Sequence, residues 1–93
     1  MSVEVRLPTI LRSLANGQAT ARAEGATVGE VFEDLVRQYP GLAGRVVTPE
    51  GTLHKFVNVY VSDDDVRYLQ GLDTKVNDED EIAILPAVAG GAA

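Results

Sequence analysis

The sequence contains no cysteine and no tryptophan, and its single histidine is His54. The lack of cysteine excludes disulfides, thiolate nucleophiles and cysteine-ligated metal sites. His54 has no serine or cysteine partner in a recognisable catalytic motif, so we interpret it as a surface or strand-edge residue. These absences predict that the chain is not an enzyme and that it holds no metal.

Positive charge is also scarce, because eight Lys and Arg stand against fourteen Asp and Glu, a net charge of −6. Nucleic acids and anionic membrane surfaces are bound by clusters of Lys and Arg, so this balance argues against both as partners. An acidic surface instead suits docking onto a basic protein. The acidic runs Asp63–Asp65 and Asp78–Glu81 lack the spacing of a calcium loop, and we interpret them as solvated turns.

Long apolar runs are missing as well. No stretch approaches the roughly 20 apolar residues that span a membrane. The opening Met1-Ser2-Val3-Glu4 lacks the basic and then apolar pattern of a signal peptide, so we expect a cytoplasmic protein. The 93 residues suffice for one compact domain.

The first third of the chain predicts a hairpin followed by a helix. Val3, Val5 and Leu7 alternate with polar residues, as in a half-buried strand that ends near Pro8. Asn16-Gly17 is a hairpin turn signal, and residues 18–23 form the returning strand. Thr27 and Glu30 form a capping box at a helix start. An apolar stripe at helical spacing follows and stops at Pro40-Gly41; its members are Val28, Val31, Phe32, Leu35, Val36 and Tyr39.

The remainder of the chain predicts strands joined by polar turns. The expected elements are an irregular stretch over 41–53, a strand over 56–61, a turn at 63–65, a short strand over 66–69, a connector with one helical turn over 70–76, a turn at 77–80 and a last strand over 81–88. One main helix crossing a mixed sheet of about five strands is an α+β roll. The hairpin-then-helix order fits a β-grasp (ubiquitin-like) fold over residues 1–88, with a flexible tail over 89–93.

The join between the last strand and this tail is the unusual feature. An apolar segment, Ile82 to Val88, runs directly into Ala89-Gly90-Gly91. The four residues Val88–Gly91 can extend about 13–14 Å, and glycine fits channels that exclude a Cβ atom. Such a narrow terminal segment can present a carboxylate to the active site of another protein, which would then perform the chemistry.

With these motifs in place, the sequence resembles the ThiS/MoaD sulfur-carrier family, and within it the CysO-type members of actinobacteria. The resemblance rests on Val5–Leu11, on Leu53–Val61 with Asp64, Val66 and Arg67, and on the terminal motif Ile84–Gly91. It implies that an E1-like enzyme uses ATP to adenylate the terminal carboxylate. A thiocarboxylate would then form at Gly90-Gly91 and give its sulfur to an acceptor synthase, either of the cysteine synthase type or another, in cysteine biosynthesis or a related sulfur-incorporation pathway. We expect the chain itself to bind no cofactor.

The sequence departs from the family at Ala92-Ala93, since the usual chain ends at Gly-Gly. We therefore expect a metallopeptidase to cut between Gly91 and Ala92. The outward face of the sheet is the expected docking surface for partners, and it continues into the terminal segment; its residues are Phe56, Asn58, Tyr60, Leu85, Pro86, Val88 and Ala89. Two alternatives stay open, a ubiquitin-like protein modifier and a β-grasp binding module with an incidental Gly-Gly end.

Overall fold

The computed structural model describes residues 2–46 and 57–86. Five strands form one sheet: β1 Ser2–Arg6, β2 Thr20–Glu24, β3 Val57–Val61, β4 Asp64–Asp65 and β5 Glu81–Pro86. Their order is β2-β1-β5-β3-β4, with β1 and β5 parallel and the other neighbours antiparallel. This arrangement confirms the predicted mixed sheet of a β-grasp fold, in which the first and last strands are central.

The hairpin of β1 and β2 is confirmed, with Val3 opposite Ala23 and Val5 opposite Ala21. Its connection is longer than the sequence indicated, because it contains helix α1, Thr9–Arg12, and a 3₁₀ turn, Ser13–Ala15. Asn16 and Gly17 have φ of 60° and 80°, so the turn signal was correctly located. These two residues end a helical turn instead of joining the strands directly.

Helix α2, Val28–Gln38, begins at the predicted cap. The Glu30 N–H donates to Thr27 Oγ1 at 3.2 Å, and Glu30 Oε1 accepts from the Ala26 N–H at 2.8 Å. Four stripe residues are buried, namely Val28, Val31, Phe32 and Leu35, while Val36 and Tyr39 are partly buried. A 3₁₀ turn over Pro40–Leu42 follows the helix.

The strand predicted over residues 66–69 is wrong. Ser62 and Asp63 have φ of 49° and 79° and form a two-residue turn, which makes Asp64–Asp65 the short strand β4. Val66–Tyr68 is a 3₁₀ turn instead, and the Asp65 carboxylate caps it by accepting from the Arg67 N–H at 2.9 Å. Val66 is buried by this turn.

The hydrophobic core of the described residues lies between α2 and the inner face of the sheet. Val5, Val59 and Ile82 are fully or almost fully buried there, on three neighbouring strands. The predicted helical turn in the connector is the 3₁₀ turn Gly71–Asp73, which packs against α2. Within residues 2–46 and 57–86, none of the helices reaches the length and apolarity that crossing a bilayer would take. The predicted domain boundary at residue 88 lies outside the described residues.

Candidate functional site

The end of β5 fixes where the terminal segment leaves the fold. β5 lies between β1 and β3, with Ala83 beside Arg6 and Pro86 beside Val57. The chain therefore leaves the sheet at its centre, between the end of β1 and the start of β3. The predicted sulfur-carrying residues Gly90 and Gly91, and the predicted cleavage partner Ala92, lie outside the described residues.

The structure brings three of the predicted partner-binding residues to one face, whereas Pro86 stands opposite Val57 and belongs to the core-side register. Asn58 stands directly opposite Leu85 on the neighbouring strand, and Tyr60 stands opposite Ala83. Asn58 and Tyr60 are half-buried, Leu85 is 47% exposed, and Pro86 is exposed. Strand alternation produces this grouping, since Val57, Val59 and Val61 take the core side. The other predicted contacts, Phe56, Val88 and Ala89, lie outside the described residues.

A shallow groove of about 760 Å³ runs along this outer face to the end of β5. Tyr60, Ala83 and Leu85 contribute to its lining on the strands. The segment Leu7–Ile10 contributes from the β1 side, and Ile10 is 67% exposed there. The sequence did not reveal Ile10, because the alternation of β1 stops before Pro8.

Two arginines stand on either side of the exit. Arg12 lines the groove, and its Nε donates to the Leu7 carbonyl at 3.1 Å. Arg67 donates from Nη2 to the Val57 carbonyl at 2.7 Å and from Nη1 to Asn58 Oδ1. The short β4 pairs only with Tyr60 and Val61. Arg67 thus bonds to β3 beyond the end of β4 and holds the Asn58 side chain on the outer face.

The acidic runs lie towards the opposite end of the sheet, where they occupy turns only in part, because Asp64–Asp65 forms β4 and Glu81 begins β5. Asp63 lies in the turn after β3, and Asp80 accepts a hydrogen bond from the Ser62 hydroxyl at 3.0 Å. In the described part of the chain, no three His, Asp or Glu side chains form a group able to hold a metal ion. What the described site offers is an exposed sheet face with the end of the central strand β5 beside it.

Comparison with known proteins identifies the family to which the chain belongs. Residues 5–91 match the ThiS family, and the chain belongs to that family. It is 50% identical over 93 residues to the sulfur carrier protein CysO of Mycobacterium tuberculosis, covering 98% of this chain and 100% of the relative. It is 40% identical over 68 residues to small archaeal modifier protein 3 of Haloferax volcanii, covering 73% of each.

A solved structure of a similar protein has the same fold as this chain. One chain in the crystal structure of the Amycolatopsis orientalis BexX/CysO complex superposes with a TM-score of 0.87 at 48% identity, covering 96% of this chain and 99% of that one. The predicted family and fold class are confirmed. The CysO relatives are small sulfur carrier proteins, in agreement with the prediction that the chain is not an enzyme.

Proposed function

We propose that this chain is a sulfur carrier whose reactive group is the carboxyl of Gly91. The observation that carries the proposal is the position of β5, a central strand whose last residue, Pro86, is exposed at the groove. Gly91 follows five residues later, a reach of about 17 Å when extended. The family match, which extends through residue 91, supports the same assignment.

The proposed chemistry takes place in a partner enzyme of the E1-like class. The Gly91 carboxylate attacks the α-phosphorus of ATP, and pyrophosphate leaves. A sulfur nucleophile such as hydrosulfide then attacks the acyl carbonyl, AMP leaves, and a proton is released as the thiocarboxylate forms. Adenylation is needed because a free carboxylate is a poor electrophile. The glycines Gly90 and Gly91 let the terminus enter a narrow active-site channel, since they have no Cβ atom.

In the sequence the reactive carboxyl is blocked. Gly91 is followed by Ala92, so its carbonyl carbon is held in a peptide bond and cannot be adenylated. We propose that a metallopeptidase hydrolyses the Gly91–Ala92 bond before charging. The uncut protein would still dock through its sheet, but it would not accept sulfur.

The docking surface in this proposal is the outer face with the terminal segment. Asn58, Tyr60 and Leu85 are its described residues on the outer face, and Pro86 lies at the end of β5 where the terminal segment begins. Phe56, Val88 and Ala89 complete the proposed set. The structure of the A. orientalis BexX/CysO complex supports partner binding by a protein of this kind.

The proposed acceptor is a synthase that makes cysteine from an activated serine. The thiocarboxylate is a soft nucleophile, and its sulfur would displace the activating group from the β-carbon of the serine to give a thioester. Hydrolysis of that thioester would release cysteine and restore the Gly91 carboxylate. The similarity to the sulfur carrier protein CysO of M. tuberculosis supports the carrier role on which this choice rests. The need for ATP in the charging step favours the cytoplasm as its location.

The test uses a chain that ends at Gly91, incubated with candidate E1-like enzymes, ATP and sulfide. Its intact mass should rise by the difference between sulfur and oxygen. The matched Gly91→Ala variant should charge poorly, because one methyl group obstructs a channel that admits only backbone. If no candidate enzyme charges the Gly91-terminated chain, the sulfur-carrier proposal fails and a binding module is the better account.

A second candidate function is protein modification through the same activated terminus. The similarity to small archaeal modifier protein 3 favours it. In that case the Gly91 carbonyl would be attacked by a lysine amine, and an isopeptide bond would form with loss of AMP. Mass spectrometry of tryptic lysine peptides from cells expressing the Gly91-terminated chain would reveal a remnant of residues 76–91, because Lys75 is the last trypsin site before Gly91. Finding no conjugates while the charged form accumulates would reject this function.

A further inference from the structure

The charges of the protein are segregated along the direction of β5. Six of the fourteen acidic residues lie at the start of β5, in the adjoining turns or at the start of β4, and they are Asp63, Asp64, Asp78, Glu79, Asp80 and Glu81. β5 then runs for six residues to Pro86, a distance of about 17 Å. The net charge of −6 therefore does not describe the end from which the terminal segment leaves.

The exit end carries the opposite sign among the described residues. Arg12 lies on the β1 side and Arg67 on the β3 side, with Leu85 and Pro86 on the strand between them. Within residues 2–46 and 57–86, the ion pairs are Arg6–Glu81 and Arg37–Asp34, so neither flanking arginine has a described carboxylate within 4.0 Å.

Both arginines are held by backbone carbonyls and keep donors available. A guanidinium has five N–H groups. Arg12 uses one on Leu7, and Arg67 uses two on Val57 and Asn58. The remaining N–H groups can donate to the two oxygens of a carboxylate, which a guanidinium binds in a bidentate manner.

We propose that Arg12 and Arg67 form a cationic rim that binds carboxylates on the partner enzyme, on either side of the opening that receives the terminal segment. The exposed apolar side chains of Ile10 and Leu85 occupy the centre of this contact. This inference rests on the proposed function, and it specifies the chemistry of the partner surface. The acidic turns at the far end would orient the protein in the partner's field, so that it approaches with its terminal segment first.

The test measures steady-state charging of the Gly91-terminated chain by an E1-like enzyme that charges it with ATP and sulfide. Arg12→Gln and Arg67→Gln together should raise KM by about three- to tenfold and leave kcat unchanged. The increase of KM with NaCl, from about 50 to about 300 mM, should become shallower. Arg22→Gln is the matched control, because Arg22 is also bonded to a backbone carbonyl, that of Ser2, but lies on the edge strand β2.

Arg67→Lys separates charge from the bonds that Arg67 makes to β3. It should keep the salt dependence of KM even if the melting temperature falls, whereas Arg67→Gln should make that dependence shallower. If the wild-type chain is charged and the double variant behaves like Arg22→Gln, the rim is rejected while the carrier function stands. A lower KM on removing the arginines would also overturn the rim, because it would indicate a basic partner surface.

Discussion

At the scale of single residues, Thr27 and Glu30 cap the N-terminus of α2. We expect Thr27→Ala to lower the free energy of unfolding by about 1 kcal/mol, because the Glu30 N–H then loses its acceptor. Urea unfolding measures this change. Glu33→Ala, on an exposed helix position, is the control and should change stability by less than about 0.5 kcal/mol. Equal effects in the two variants would show that the cap contributes nothing.

Asp34 makes the stability of the fold depend on pH in the acid range. Its pKa lies below the ordinary 3.8, first because the Glu24 N–H donates to the carboxylate, while desolvation opposes the shift and Gln38 and Arg37 add to it. A lowered pKa in the folded state stabilises it at pH values above the unfolded pKa, and this contribution is lost as the pH falls below 3.8.

The stability difference between the wild type and Asp34→Asn should therefore shrink as the pH is lowered from about 6 to about 3. Chemical unfolding at a series of pH values measures it, with Glu33→Gln on the neighbouring exposed position as control. A difference that stays constant over this range would show that ionised Asp34 does not hold the Glu24 N–H.

At this scale, the sequence predicted the cap but not the arginines. Thr27 and Glu30 are three residues apart, and their bonds form within one helical turn. Arg67 bonds to Val57, ten residues away, and this contact depends on β4 being only two residues long. No local pattern encodes the length of β4, so the placement of Arg67 required the structure.

Helix α2 stabilises the fold as an element through its buried stripe. Phe32 is 1% exposed, and Phe32→Ala should lower the free energy of unfolding by about 3–5 kcal/mol through lost burial and a cavity. Val36→Ala, at the partly buried edge of the stripe, is the control and should cost distinctly less. Thermal unfolding measures both. A loss of charging with unchanged stability in Phe32→Ala would mean that this residue has a function beyond packing.

The elements with a regular pattern were predictable, and the short ones were not. β1 and β3 alternate between buried and more exposed residues, and α2 repeats its buried residues at helical spacing. α1 has four residues with Leu11 alone buried, too few to show a period. β4 consists of two aspartates, which are depleted in strands, and its turn uses Ser62-Asp63 where Asn-Gly would be expected.

The whole molecule presents the outer face of its sheet to a partner. Leu85→Asp in the Gly91-terminated chain should weaken binding to the E1-like enzyme by about tenfold or more, because a charge would replace an apolar contact at the exit of the chain. Isothermal titration calorimetry measures the affinity, and circular dichroism checks that the fold is kept.

Leu69→Asp is a matched control for this prediction. Leu69 is 47% exposed, as Leu85 is, but it follows the 3₁₀ turn after β4 and does not line the groove. Its substitution should leave the affinity within about twofold of the wild type. Equal weakening by the two variants would mean that the loss reflects added charge and not the position of the surface.

At the scale of the molecule, sequence alternation predicted which residues share the outer face. The segregation of charge was not predictable, because Asp63-Asp64 and the run from Asp78 to Glu81 are separated by more than ten residues in the chain. They meet only because β3 and β5 pair antiparallel, with Val61 beside Ile82. The cationic rim depends on the same tertiary pairing.

The most direct test of the central claim compares the full-length chain with the chain that ends at Gly91. Both are incubated with the E1-like enzyme, ATP and sulfide, and the site of added sulfur is located by fragmentation of the intact protein. We expect sulfur at the terminal carboxyl of Gly91 in the short chain, and none in the full-length chain until a peptidase removes Ala92-Ala93. Equal charging of the full-length chain at Ala93 would contradict the claim that Gly91 is the carrier residue.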